Sequence, residues 1–282
     1  MKDLTPLRVG KIRYLNCLPF YFTLQEKLKA KGLDAVFVES HPADLNRALQ
    51  SGEIDLGPVS SFEYLARQDQ YLLLPDLGIG AGDFARSVIL FSRVKLQDLD
   101  GATIALSEES ASSAAMLRIM LKGRYGFENR FETVVQDPGR VLRKYPAALL
   151  IGDAALYFES EDWFYKYDLG EMWREWTKSP FVFALWTVRK TAATERAREI
   201  AVFLEVLKEN LRKNMEVPEE LLKHALGMTP VEKRFAQTLG YLVNLRFELD
   251  KAMTDGLLKF FELAHREELA PAPKPLEFFH AA

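Results

Sequence analysis

The chain has 282 residues, of which 48% are hydrophobic and 27% charged, with a formal net charge of -3 at pH 7. This balance is typical of a globular protein and excludes a disordered or fibrous chain. The small net charge and the lack of a clustered basic stripe argue against nucleic acid as a partner. We therefore expect one or two globular domains that bind small molecules or protein surfaces.

Cys17 is the single cysteine, so no disulfide can form within the chain, which is typical of a reducing compartment. The triplet Leu15-Asn16-Cys17 resembles a lipoprotein cleavage site. Five charged residues between positions 2 and 13 interrupt the apolar run that such a signal needs. No apolar run approaches the roughly 20 residues that span a bilayer. We therefore expect a cytoplasmic protein with no membrane partner.

The first third of the chain alternates short apolar runs with helical patterns, which is typical of a βαβ sheet. Strands are predicted over residues 7–12, 35–38, 54–59, 71–74 and 87–92. Helices are predicted over residues 20–31, 42–51 and 62–68. The spacing of Phe20, Leu24 and Leu28 indicates the first helix, and Gly52 ends the second. The glycine-rich residues 78–82 are expected to form a connection.

A second α/β unit begins after the turn-like residues 98–101. Its strands are predicted over residues 103–106, 131–135, 147–151 and 180–188. The polar loop 107–113 leads into a helix with an apolar face that carries Met116 and Met120. From Thr194 onward the pattern predicts only helices, over residues 197–214, 219–225, 231–239 and 249–265.

Two α/β units followed by helices predict an α/β, periplasmic-binding-protein-like (type II) fold with two lobes and an interlobe cleft. Such folds close around ligands by hinge motion. Lobe I is predicted to comprise residues 1–92 plus 188–282, and lobe II residues 93–187. The strands 87–92 and 180–188 are the candidate crossovers between the lobes. A single doubly wound sheet would give a similar alternation, so the pattern leaves this alternative open.

Polar side chains follow several predicted strands at their carboxyl ends, where open α/β sheets bind ligands, and Ser87 lies near the first crossover. The candidate residues are Asn16, Ser60, Ser61, Ser87, Ser107, Ser110, Ser112, Ser113 and Asp153. Several of them precede helices, and helix N-termini favour carboxylates and phosphates. A dicarboxylate would be well matched if the serines at 60–61 and 110–113 face each other across the cleft.

Each candidate also has an ordinary structural explanation. Serines that precede helices are usually N-caps. Asn16 could only order a turn before Pro19. Asp153 could cap a helix that begins at Ala154.

The motifs of metal and nucleotide sites are missing from the sequence. The four histidines are scattered, and neither H-E-x-x-H nor C-x-x-C spacing occurs, so we expect no metal site. There is no G-x-S-x-G elbow, Walker loop or dinucleotide fingerprint, so we expect no nucleotide cofactor. Cys17 is expected to be a small buried residue rather than a nucleophile. The residues alone thus predict a two-lobed protein that binds an anion.

Several long motifs occur in order along the chain. They are residues 10–20 (GKIRYLNCLPF), 56–64 (LGPVSSFEY), 87–92 (SVILFS), 148–156 (ALLIGDAAL), 167–170 (YDLG), 173–176 (WREW) and 180–184 (PFVFA). Together they resemble the chorismate dehydratase family, which begins the futalosine route to menaquinone. The resemblance extends over roughly residues 7 to 265.

The resemblance implies a lyase that removes water from chorismate to give 3-[(1-carboxyvinyl)oxy]benzoate without a metal or other cofactor. Chorismate is a small-molecule dicarboxylate with a hydroxyl leaving group, in agreement with the anion site predicted above. Aromatisation of the ring drives the reaction. The enzyme must mainly orient the substrate, help a proton leave and assist departure of the hydroxyl.

The residue roles under this resemblance are hypotheses. Asn16 and Asp153 are the catalytic candidates, the first as an orienting contact and the second as a group that orients a donor or assists proton transfer. The serines expected to bind carboxylates are Ser60, Ser61, Ser87, Ser107, Ser110 and Ser112. No histidine occupies these positions, so the general base is unassigned, and the substrate's own enolpyruvyl carboxylate could serve.

The sequence departs from the family pattern at two positions. Cys17 stands where a threonine-like residue is expected, and Arg86 stands where a small or apolar residue is usual. Arg86 could reach the cleft or face solvent.

Two other functions compete with the dehydratase. A 1,4-dihydroxy-6-naphthoate synthase would be expected to carry a segment similar to Ser-Pro-Cys-Pro-Asn-Asp-Thr near its N-terminus. This chain has residues 14–20 (YLNCLPF) there instead. A non-catalytic solute-binding protein would be expected to carry an export signal.

Overall fold

The computed structural model describes residues 5–159 and 165–280, and within them the chain forms two sheets flanked by helices. The six-stranded sheet contains β1 (Leu7–Ile12), β2 (Ala35–Ser40), β3 (Leu56–Ser60), β4 (Tyr71–Ala81), β10 (Phe181–Arg189) and β11 (Leu245–Glu248), in the order β11-β4-β10-β3-β1-β2. The five-stranded sheet contains β5 (Val88–Ser92), β6 (Thr103–Ser107), β7 (Arg130–Val134), β8 (Ala147–Ile151) and β9 (Tyr165–Asp168), in the order β7-β6-β8-β5-β9. Two separate sheets replace the alternative of a single doubly wound sheet.

The helices divide between the two sheets. They are α1 (Leu18–Tyr21), α2 (Leu24–Ala30), α3 (Pro42–Ser51), α4 (Ser61–Ala66), α5 (Ser112–Gly123), α6 (Pro138–Lys144), α7 (Gly152–Tyr157), α8 (Leu169–Thr177), α9 (Lys190–Glu195), α10 (Ala197–Glu216), α11 (Pro218–Leu226), α12 (Lys233–Leu242) and α13 (Lys251–Arg266). Each of α5 to α8 follows one strand of the five-stranded sheet. Among the described residues, no helix combines the length and apolar character needed to cross a bilayer.

Parallel pairing places several strand ends at one edge of each sheet. In the first sheet β1 runs parallel to β2 and β3, and in the second β6 runs parallel to β7 and β8. The carboxyl ends of parallel strands share an edge, so the segments after β1 and β3 lie together, as do those after β6 and β8. This topology brings the strand-end residues of the sequence together.

Several elements appear at their predicted bounds, namely β1, α3 and β8. Gly52 ends α3 with φ 82°, in the left-handed region that glycine adopts without strain. Here the local pattern, the cap chemistry and the tertiary fold agree.

The continuous helix predicted over residues 20–31 is wrong. The chain forms α1 and α2 instead, separated by Phe22 and by Thr23, which has φ 61°. The Phe22 carbonyl accepts hydrogen bonds from the Nδ2 atoms of Asn210 (2.9 Å) and Asn214 (3.1 Å) in α10. These bonds satisfy the interrupted backbone from a helix almost 190 residues away in sequence, which periodicity in a short window does not detect.

Two further predictions in the first sheet are wrong. The glycine-rich segment expected as a connection is the end of β4, which is 11 residues long. At Gly80 a Cβ atom would lie 2.5 Å from the carbonyl oxygen of Phe181, so glycine is required by the close approach of β10. The region after Thr194 is also not helical throughout, because β11 pairs antiparallel with β4 at the sheet edge.

The two candidate crossover strands each belong to one sheet. β5 pairs with β8 and β9 in the second sheet, and β10 pairs with β3 and β4 in the first. The chain therefore passes between sheets in residues 82–87 and 178–180. Compared with the predicted lobe boundaries, β5 belongs to the second sheet rather than the first, and β10 to the first rather than the second. An apolar run in the sequence does not reveal which strand it pairs with. Lobe I is the six-stranded sheet with its helices, and lobe II is the five-stranded sheet with α5 to α8. Residues 1–4 and 281–282 of the predicted lobe I lie outside the described residues.

Candidate active site

A cavity with about 630 Å³ of empty space, counting the part open to solvent, lies between the two sheets. Lobe I contributes Ile12, Tyr14, Asn16, Pro42, Ser60, Ile79, Phe183, Ala184, Tyr241 and Leu245. The first crossover and lobe II contribute Ala85, Ser87, Val88, Glu109, Ser110, Ala111, Ser112, Ser113, Ile151 and Gly152. Apolar walls with a few convergent polar groups are typical of small-molecule sites. The cavity is therefore the candidate active site.

Asn16 lines this cavity from a 3-10 helix (Leu15–Cys17) that comes shortly after β1. Its Oδ1 atom is buried and has no hydrogen-bond partner within the described residues. A buried polar atom without a partner costs about 1–3 kcal/mol, so native proteins rarely keep one without a reason. A donor on a bound molecule would satisfy this oxygen.

Ser60 and Ser110 line the cavity and also accept hydrogen bonds from the first turns of helices. Ser60 Oγ accepts a hydrogen bond from the Glu63 N–H at 3.0 Å, at the start of α4. Ser110 Oγ accepts one from the Ser113 N–H at 3.2 Å, in the first turn of α5. The N-cap explanation is therefore correct for Ser60, whereas Ser110 lies one residue before Ala111, the N-cap of α5. Neither role removes the residue from the site.

Ser61 and Ser112 join the two lobes. Their Oγ atoms lie 3.0 Å apart, and Ser61 donates to the carbonyl of Val182 at 2.7 Å. Ser112 donates to the carbonyl of Phe183 at 2.9 Å and accepts from the Phe62 N–H at 3.2 Å. Ser112 forms part of the cavity wall, whereas Ser61 is fully buried behind it.

Ser87 lines the cavity at the first crossover. Its Oγ lies 2.8 Å from the hydroxyl of Tyr241 in α12, and its carbonyl accepts from the Gly152 N–H at 2.8 Å. Burial raises the pKa of Tyr241, so this phenol remains protonated. The neighbouring Arg86 is exposed, and its guanidinium lies beside Gly240 rather than in the wall.

Tyr14 and Glu109 form a contact across the cleft that the sequence analysis missed. The Tyr14 hydroxyl donates to Glu109 Oε2, and Glu109 Oε1 lies 3.5 Å from His41 Nδ1. Burial and the Glu109 carboxylate both raise the pKa of Tyr14 above its usual range. Glu109 lies in the same polar loop as the predicted serines, so a search for carboxylates as well as hydroxyls after the predicted strands would have found it. Tyr241 lies on a helix far along the chain and gave no such signal.

Ser107 and Asp153 lie outside the cavity wall. Ser107 is buried, and its Oγ accepts from the Glu109 N–H at 3.2 Å. Asp153 Oδ1 accepts from the Leu15 N–H at 3.2 Å, next to Asn16 in the chain. Burial raises the pKa of Asp153, an effect that this hydrogen bond opposes.

Cys17 is fully buried, and burial raises the pKa of its thiol, as expected for a packing residue rather than a nucleophile.

The cavity wall holds neutral donors rather than cations. The described residues that line it include no Lys, Arg or His, and Glu109 supplies the one carboxylate among those residues. Within the described ranges, no group of three or more His, Cys, Asp or Glu side chains is placed to hold a metal ion. An anionic ligand in this cavity would be bound by hydroxyls, an amide and backbone N–H groups.

Comparisons with known proteins extend these observations. The profile of a family described as menaquinone biosynthesis matches residues 7–266. A chorismate dehydratase from Thermus thermophilus is 34% identical, over 91% of this chain and 94% of its own length.

Solved structures resemble the fold. A protein from Archaeoglobus fulgidus matches with a TM-score of 0.72 at 19% identity, covering 94% of this chain and 98% of its own. The alkanesulfonate-binding protein SsuA from Xanthomonas axonopodis pv. citri matches with a TM-score of 0.64 at 16% identity, covering 96% of each chain. The predicted periplasmic-binding-protein-like fold is confirmed. With the family profile and the Thermus relative, the comparisons establish that this chain belongs to the menaquinone biosynthesis family and is a homologue of chorismate dehydratase.

Proposed function

We propose that this protein is a hydro-lyase that converts chorismate to 3-[(1-carboxyvinyl)oxy]benzoate and water. The reaction removes a proton from the ring carbon that carries the enolpyruvyl ether, and hydroxide leaves from the adjacent carbon. The electrons of the C–H bond form the third ring double bond, so no oxidant or reductant is needed. The 34% identity to a protein named chorismate dehydratase, across nearly the whole chain, supports this assignment.

The observation that carries the proposal is the polar lining of the cavity. It combines the unpartnered Asn16 Oδ1 with serine hydroxyls, and the described residues of the lining include no cation. Chorismate offers two carboxylates that accept hydrogen bonds and one hydroxyl that donates to an oxygen such as Asn16 Oδ1. Neutral donors fixed in a partly dry site can hold such charges, because their dipoles need no reorganisation.

Residue roles follow from position in the wall. We assign Asn16 to the leaving hydroxyl, which it would orient beside the proton to be removed. Ser60, Ser87 and Ser110 line the cavity and are proposed to bind the carboxylates, whereas Ser112 donates its one hydroxyl proton to Phe183 and is proposed to shape the wall beside them. Ser61 and Ser107 are proposed to act behind them, by fixing Ser112 and the Glu109 backbone.

The proton acceptor is proposed to be the substrate's own enolpyruvyl carboxylate. It is tethered through the ether oxygen to the carbon that loses the proton, so it reaches that proton without a protein base. The wall's carboxylate, Glu109, already accepts the Tyr14 hydroxyl. A biosynthetic role of this kind, together with the single cysteine, supports a cytoplasmic location.

Incubation with chorismate tests the proposal. Loss of the diene absorbance and appearance of an aromatic product with the mass of chorismate minus water are expected, against a protein-free sample that corrects for spontaneous rearrangement. Asn16→Ala should lower kcat about 100-fold, the usual effect of removing one positioned hydrogen-bonding group. Gln25→Ala, which removes an exposed amide from α2, should leave kcat unchanged.

The other outcomes distinguish the competing functions. No consumption of chorismate by the folded wild-type protein would reject the dehydratase. Binding of chorismate without product would indicate a solute-binding protein. Failure to bind chorismate at all would favour the naphthoate synthase, whose later substrate of the same route would then be tested.

A further inference from the structure

The loop that carries Asn16 is held by residues of the opposite lobe. Asp153 Oδ1 accepts the Leu15 N–H at 3.2 Å. The Tyr14 ring lies directly on Gly152, where a Cβ atom would be 2.8 Å from Tyr14 Cε1. Lobe II thus contacts the two residues immediately before Asn16.

Lobe I leaves the start of this turn uncapped. Tyr14 is the N-cap residue of the 3-10 helix Leu15–Cys17, and its side chain makes no capping hydrogen bond there. Its carbonyl does accept the Cys17 N–H at 3.0 Å, which closes the turn. The first N–H groups of any helix need an acceptor from outside it. For Leu15, that acceptor comes from Asp153 on the other lobe.

We propose that Asp153 is a positioning residue, which caps the Asn16 turn from lobe II and so couples lobe closure to the placement of the Asn16 amide. The inference rests on the proposed function for the contact between Asn16 and substrate. Asp153 itself lies outside the cavity wall. When the lobes separate, the Leu15 N–H loses its acceptor and the turn is free to change conformation.

This role needs an oxygen with a free lone pair and does not need a charge or an exchangeable proton. Asn at position 153 keeps such an oxygen in the same place, whereas Ala removes it. A proton-transfer role makes the opposite demand, because an amide neither gives nor takes a proton at neutral pH. The two substitutions therefore separate positioning from acid–base chemistry.

Steady-state kinetics with chorismate is the first test. Asp153→Ala should lower kcat 30- to 100-fold while KM changes less than threefold, and Asp153→Asn should keep kcat within threefold of wild type. Asp250→Ala is the matched control, because Asp250 also accepts one main-chain N–H (Met253, 2.8 Å) at a helix start but lies outside the cavity wall. It should leave kcat unchanged. An Asp153→Asn protein as impaired as Asp153→Ala, or full activity in Asp153→Ala, would overturn the proposal.

Amide hydrogen exchange is the second test and needs no substrate. The peptide spanning residues 14–18 should exchange at least tenfold faster in Asp153→Ala than in wild type, and Asp153→Asn should retain the protection. Equal exchange in all three proteins would refute the cap. If wild type does not turn over chorismate, the proposed function fails, and the exchange result still decides whether Asp153 fixes the turn.

Discussion

Asp55 is a buried carboxylate and Asp153 a half-buried one, and their surroundings are opposite. Asp55, at the end of lobe I away from the cavity, has a side chain only 3% exposed. It pairs with Arg8 Nη2 at 2.6 Å, Arg189 Nη2 at 3.1 Å and Arg196 Nη1 at 3.2 Å. For Asp153, the structure shows one hydrogen-bond donor, the backbone N–H of Leu15.

This difference in partners reverses the effect of burial on the pKa. Burial alone would raise the pKa of both groups. For Asp55 the hydrogen bonds and charge of Arg8, with a further bond from Arg189, outweigh burial and lower the pKa. For Asp153 burial prevails and the pKa is raised. The fully paired charge of Asp55 thus marks a structural hub, whereas Asp153, with a raised pKa, lies beside the turn that carries the unpartnered Asn16 Oδ1.

The largest expected effect is on stability, from Asp55→Ala. It leaves three guanidinium groups, of which that of Arg196 is only 11% exposed, without their shared anion. We expect a loss of about 3 kcal/mol in the free energy of unfolding, measured by urea denaturation. Chorismate turnover per folded molecule should not change.

Glu209→Ala provides the control for Asp55→Ala. Glu209 forms an exposed i,i+4 pair with Lys213 in α10, so Glu209→Ala should lower the free energy of unfolding far less than Asp55→Ala does. Equal destabilisation by the two substitutions would show that Asp55 is not a structural hub.

The sequence predicted those parts of the fold in which local and tertiary preferences agree. In α3, a proline at the start and Gly52 after the end marked both bounds. In β4, by contrast, the glycines around Gly80 suggested a connection. Glycine is required at position 80 by the close approach of β10, which lies about 100 residues later in sequence and leaves no local signal.

The candidate site followed the same rule. Asn16, Ser60, Ser87, Ser110 and Ser112 were identified from strand ends and crossovers, and all five line the cavity. Tyr241 comes from α12, and nothing near it in sequence indicates a ligand site. Tertiary packing alone brings it to Ser87.

Gly152→Ala should have the next largest effect. Gly152 has φ 64°, and an added Cβ atom would lie 2.8 Å from the Tyr14 ring. Backbone strain and the clash together should cost about 2 kcal/mol of stability and displace the Asn16 loop, with a fall in kcat. Gly101→Ala is the control, because Gly101 has φ 71° with nothing within 4 Å of the added atom. It should cost about 1 kcal/mol and leave kcat unchanged; an equal fall in kcat would contradict the packing of Tyr14 on Gly152.

The smallest expected effect is on how stability changes with pH. Substitutions of Asp55 and Asp153 should shift the free energy of unfolding in opposite directions as pH falls. The folded-state pKa of Asp55 is lowered, so its contribution to stability is fully present above the unfolded pKa of about 3.9 and is lost as pH falls through the folded value. The folded-state pKa of Asp153 is raised, so its contribution is fully present below about 3.9 and is lost as pH rises through the folded value.

Asp55→Asn and Asp153→Asn remain neutral at every pH and reveal these contributions by comparison with wild type. From pH 7 down to pH 3, the stability deficit of Asp55→Asn relative to wild type should shrink. Over the same range, Asp153→Asn should lose stability relative to wild type, because protonation relieves the buried charge only in the wild-type protein. Urea denaturation at intervals of one pH unit measures both differences. If both differences changed in the same direction, the contrast between the lowered pKa of Asp55 and the raised pKa of Asp153 would be wrong.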